Sequence, residues 1–111
     1  MAENKKTIEL TFAGDTTNAV YLDDCAACRI LVPDDVTFNL KSVIAEVGTA
    51  VNGPFYKNYN RLGDPEPIGL GALRGVHLDL SAFADMPYIR FKAEDSSLSG
   101  KKIILSYIEV R

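Results

Sequence analysis

The 111-residue chain has no tryptophan, one histidine and two cysteines. Each scarcity excludes a class of chemistry. With His77 as its sole histidine, the sequence itself points to no Ser, His and Asp set. A structural zinc site takes four ligands, usually two cysteine pairs or one pair with histidines, and here the one pair is Cys25 with Cys28. A C-x-x-C redox pair needs a helix N-terminus and nearby cations to lower the thiol pKa. In DDCAACRILVP, two carboxylates precede the pair and strand-like residues follow it. The thiols are therefore read as small packing residues near a strand bend. No glycine pattern matches a phosphate-binding loop. The expectation is a chain with no catalytic residues, no cofactor and no metal ion.

Basic charge is also scarce. Twelve Lys and Arg face fifteen Asp and Glu, a net charge of -3, and the cations gather no further than the pairs Lys5-Lys6 and Lys101-Lys102. That argues against a nucleic-acid partner, which needs a concentrated phosphate footprint. No apolar run approaches the roughly 20 residues of a membrane span, and MAENKKTIELTF has no apolar leader core. A chain made in a cytoplasm, with reduced thiols and no membrane contact, is expected.

What is present is strand alternation. Ile8, Leu10 and Phe12 share one face of TIELTF; Val76, Leu78 and Leu80 alternate with His77 and Asp79; Ile89, Phe91 and Ala93 alternate with Tyr88, Arg90 and Lys92. Such a period of two marks half-buried strands. KKIILSYIEVR is apolar on both faces for part of its length and reads as a more central strand. NAVYLDD and ACRILVP add two strand candidates, the second stopped by Pro33. FNLKSVIAEVGTAV fits a helical template too, but its Val, Ile, Thr and Phe content and its neighbours favour strand. Turn residues at Gly14-Asp15, Asn52-Gly53-Pro54, Gly63-Asp64-Pro65 and Ser99-Gly100 separate the strands. The expected fold is all-β: an antiparallel, jelly-roll-like β-sandwich in a single domain over residues 8–111, with an N-terminal arm over 1–7.

Two further features stand out. The acidic pairs Asp23-Asp24, Asp34-Asp35 and Glu94-Asp95 fall where turns are expected, so they read as solvated loop charge, with calcium binding as the functional alternative. NGPFYKNYNRLGDPEP concentrates Phe55, Tyr56 and Tyr59. Alternation puts Tyr56 opposite Phe55 and Tyr59, so at least one ring is left outside the core. Tyrosine joins a large contact area to a polar tip, which suits recognition of a protein or a sugar.

Read in order, YLDDCAACRILVP, TFNLKSV, NGPFYKNYNRLGDP, VHLDLSAFADMPYIRFKAEDSS and KKIILSYIEV resemble the small all-β virion proteins of tailed phages over residues 18 to 111. In length and layout the chain is most similar to the capsid staple or decoration proteins of epsilon-fifteen-like short-tailed phages. That resemblance implies a non-enzymatic jelly-roll-like protein on the outer surface of the virion capsid, clamping neighbouring major capsid proteins and stabilising the head. The partners it implies are the major capsid protein and a second copy of the chain. Candidate contacts are Lys5 and Lys6 in the arm, and Phe55, Tyr56, Tyr59 and Arg61 in the aromatic hairpin. A carbohydrate-binding module that stacks sugars on exposed tyrosines is the alternative, weakened by the absence of tryptophan.

Overall fold

The structure is a computed structural model and describes residues 3–22, 25–59, 62–64, 66–78 and 86–110. Its backbone is built on two long antiparallel partners, β1 (Glu3–Ala13) and β10 (Lys102–Val110), paired without interruption from Glu3↔Val110 to Thr11↔Lys102. On the far side of β10 lies β4 (Cys25–Leu31), and beyond it β8 (Gly75–Leu78). KKIILSYIEVR is thus central, with a strand on each side. That position pairs both of its edges but covers one face only: Ile103 and Leu105 are buried in the core, whereas Ile104 on the other face is 36% exposed.

At Phe12 and Ala13 the last residues of β1 turn to pair with β2 (Thr16–Thr17), which leads to β9 (Tyr88–Ala93). Along β9 run β3 (Val20–Tyr21) and β5 (Ser42–Gly48). The two-residue strands β6 (Tyr56–Lys57) and β7 (Ile68–Gly69) close the other edge of β5. The segment that also fitted a helix is therefore strand. Its partner β9 lines up the buried Val43, Ala45 and Val47 with Ala93, Phe91 and Ile89, a match that only a period of two permits.

Among the described residues the pairing is all antiparallel and forms one curled ten-stranded sheet, a half-barrel, where the finer expectation was a two-layer jelly-roll sandwich. β1 belongs to both wings, and the wings share one core. Leu10, Ile30, Ile103 and Leu105 from one wing join Val43, Ile89 and Phe91 from the other. The inward alternation anticipated for β1, β8 and β9 is met within the described residues: Leu10, Phe12, Leu78, Ile89, Phe91 and Ala93 are buried.

The arm expected over residues 1–7 is corrected. Glu3–Thr7 are the first half of β1, paired with Val110 through Ser106. A ladder needs only backbone groups, so polar residues join it wherever a long partner strand is available.

Two single-turn 3-10 helices, Val36–Phe38 and Ser96–Leu98, plug the ends of the core with the fully buried Phe38 and Leu98. The acidic pairs build them. Asp35 Oδ1 accepts the Thr37 N–H at 2.9 Å, and Asp95 Oδ1 accepts the Ser97 N–H at 2.9 Å. These carboxylates satisfy donors that the short helices leave open. Asp23 and Asp24 lie outside the described residues, as do residues 79–85 of VHLDLSAFADM.

Candidate partner interface

Because β5 and β9 are in register, Gly48, Glu46 and Ile44 on the outer face stand opposite Tyr88, Arg90 and Lys92. Glu46 is 5% exposed although it faces away from the core. Arg90 explains how a carboxylate is tolerated there: its Nε donates to Glu46 Oε1 at 2.7 Å. The other side of the guanidinium lies on the Phe55 ring, 4.2 Å from the centroid. This stack pins the start of the aromatic segment to the sheet. Gly48 makes the close approach possible, since a Cβ there would stand 2.9 Å from the Pro54 carbonyl oxygen and 3.2 Å from the Phe55 ring.

Phe55 is therefore an anchor, and its expected strand alternation with Tyr56 and Tyr59 is corrected. Only Tyr56 and Lys57 form a strand, and Tyr56 and Tyr59 are both exposed. Arg61 lies outside the described residues. Sequence reasoning missed two further rings. Tyr21 on β3 pairs with Tyr88 on β9, their rings edge to face with centroids 5.2 Å apart. Tyr88 was legible as an outward residue; its meeting with Tyr21 depends on a pairing between strands distant in the chain. Tyr21, Tyr88, Phe55 and Arg90 together give one end of β5 an aromatic and guanidinium surface, the side-chain types that dominate binding hot spots.

The opposite end of β5 carries a second surface that the sequence did not advertise. Two loops are stitched together by Ala72 N–H to Asn39 Oδ1 at 3.0 Å, Leu73 N–H to the Pro33 carbonyl at 3.2 Å and Leu70 N–H to the Lys41 carbonyl at 2.8 Å. Leu40 and Leu73 directly follow the joined Asn39 and Ala72, and both adopt left-handed backbone, φ 62° and 60°. The two residues are 102% and 73% exposed, and Val36, in the 3-10 turn that leads to Leu40, is 76% exposed. A branched apolar residue in this conformation costs about 1–2 kcal/mol. Strain and exposure therefore coincide at two neighbouring leucines, although neither contributes to the core.

Lys5 and Lys6, the remaining sequence candidates, are exposed on β1 opposite Ile108 and Tyr107. They lie on the sheet, apart from the aromatic segment. A bulge in β4 changes the cysteine pair. The register passes from Ala27↔Ile108 to Cys25↔Glu109, so both thiols fall on the core side of the strand, Cys28 beside Tyr107. Without that extra residue, positions three apart would face opposite ways. Burial, with the Cys25 charge adding to it, pushes the Cys28 thiol up to about 12, which removes the thiolate on which redox and metal chemistry depend. Among the described residues no three His, Cys, Asp or Glu side chains come together to hold a metal ion.

Comparison of the chain with protein-family models, with curated proteins and with solved structures found no match. No helix among the described residues is long and apolar enough to cross a membrane.

Proposed function

We propose that the protein is a non-enzymatic structural component of a phage virion, which binds the outer surface of the assembled capsid and staples neighbouring major capsid proteins. One observation carries this reading: an aromatic and guanidinium surface and an exposed leucine surface, both tied to the sheet, sit at opposite ends of the seven-residue β5. At roughly 3.3 Å per residue the strand holds them about 20 Å apart. Two contacts on one rigid body make the second binding event effectively intramolecular, so individually weak contacts hold a shell together. The strained leucines support the reading, because the fold sustains a local backbone cost while holding two apolar residues out in solvent, where a partner surface would cover them.

A second copy of the chain has a natural seat on the free edge of β1. Its outer side pairs with β2 only at Phe12 and Ala13 among the described residues. Antiparallel pairing centred on Thr7 sets Lys5 of each copy against Glu9 of the other, a favourable cross-strand arrangement.

The test is co-sedimentation of the purified protein with undecorated heads of an epsilon-fifteen-like phage. Saturable binding and heads that break at higher denaturant are expected; heads that take up none of the protein overturn the reading. The exposed rings of Tyr56 and Tyr59 favour one alternative, a module that stacks sugars. Glycan binding in the absence of head binding would select it.

A further inference from the structure

Between the two surfaces, on the same outer face, lies a cleft of about 250 Å³ lined by Ser42, Ile44, Lys57, Pro67, Lys92 and Glu94. It exists because the short edge strands pair with different parts of β5. β6 meets Glu46 and Val47, β7 meets Ser42 and Val43, and Ile44 is left between them. The outer face of a sheet is ordinarily polar. Here Ile44 is half-buried and forms an apolar floor with Pro67.

The walls carry charge of one dominant sign. Lys92 stands directly opposite Ile44 on β9, and Lys57 is registered with Glu46 on β6. Lys57 makes no ion pair among the described residues, and the Lys92 pair with Asp15 is long, 3.4 Å, with both partners about two-fifths exposed. Exposed pairs of that kind contribute little and are readily exchanged. Among the described lining residues, the two ammonium groups of Lys57 and Lys92 stand against the single Glu94 carboxylate, with Asp15 held loosely beside Lys92. Among the described residues no aromatic ring lines the cleft, so they offer no stacking platform for a neutral sugar. Its volume lies below the roughly 300–1,000 Å³ of sites for drug-sized ligands.

We propose that this cleft binds an organic carboxylate with a short apolar body. The carboxylate lies between the Lys57 and Lys92 ammonium groups, within reach of the Ser42 hydroxyl, and the apolar part rests on Ile44 and Pro67. A free short-chain acid and a glutamate side chain of a partner present the same chemistry. The site does not depend on the capsid reading.

The experiment is an NMR titration of the full chain with sodium hexanoate, with hexanol as the uncharged control and an acetylated, amidated Leu-Glu-Leu peptide as the partner-like probe. Saturable shifts at the amides of Ser42, Ile44, Lys57 and Lys92 are expected, together with far weaker binding of hexanol. A Lys57→Gln, Lys92→Gln variant, with its remaining spectrum unchanged, loses at least about tenfold in affinity, as removal of charge-assisted contacts requires. Tighter binding of hexanoate than of the peptide assigns the site to a free acid; the reverse assigns it to a partner side chain. Hexanol equal to hexanoate, or affinity untouched by the double substitution, overturns the proposal.

Discussion

Arg90 holds three things at once: it neutralises Glu46, supports the Phe55 ring and thereby fixes the path of the chain into Tyr56. Removing the half-buried Arg90 leaves the buried Glu46 carboxylate without compensation, at a cost of about 3 kcal/mol. Arg90→Ala should lower the urea midpoint accordingly. Arg90→Lys should recover only part of the loss, since an ammonium cannot both pair with Glu46 and lie flat on the ring. Cys28 is the other decisive residue at this scale. With its thiol pushed up to about 12 and its side chain in the core, it should resist alkylation at pH 8 until the protein unfolds. Cys28→Ser should cost about 1–3 kcal/mol by burying a hydroxyl in an apolar site.

At the scale of elements, the two capped turns show how much of the fold the sequence disclosed. The long strands were legible because one buried face imposes alternation on each, as in Leu10 and Phe12 or Ile89 and Phe91. The turns were present as a repeated pattern, Asp-x-Thr/Ser followed by an apolar residue, at Asp35 to Phe38 and at Asp95 to Leu98. Their carboxylates read as loop charge because a cap is defined by a hydrogen bond rather than by composition. The leucine surface left no such trace. Nothing in Asn39-Leu40 or Ala72-Leu73 announces left-handed backbone, which the hydrogen bonds between the two loops impose.

Asp35 gives this scale its test. Hydrogen bonds from Lys101 and Thr37 hold its carboxyl at about 2, below the ordinary 3.8. A depressed folded-state value means stability that is complete above about pH 4 and lost as the pH falls through about 2. The Asp35→Asn variant should show a flatter thermal midpoint across that window than the parent protein. An identical acid dependence in the two would remove Asp35 as its source. Above that window the Lys101 contact, 2.9 Å long, ties the first capped turn to the residue before β10.

For the whole molecule, the proposed capsid contact would set stability and binding against each other at the leucine surface. Asparagine tolerates left-handed backbone better than leucine. A Leu40→Asn, Leu73→Asn variant should therefore be at least as stable as the parent in urea, yet bind heads more weakly. A drop in both would mean that the leucines serve folding. Chelation should leave head binding unchanged, because the carboxylates of Asp35 and Asp95 are engaged as caps, with N–H groups as their partners.

The pairing of Glu3 with Val110 also decides how the molecule answers a pull. Force applied at Glu3 and Val110 acts on a single rung and peels β1 from β10 one paired position at a time. Force entering at the two ends of β5 runs along the covalent backbone of one strand, which its rungs to β9 brace along its length. Under the proposed function, load between the aromatic and leucine surfaces runs through β5, away from the Glu3–Val110 rung, so a pull on the grip leaves that rung unloaded.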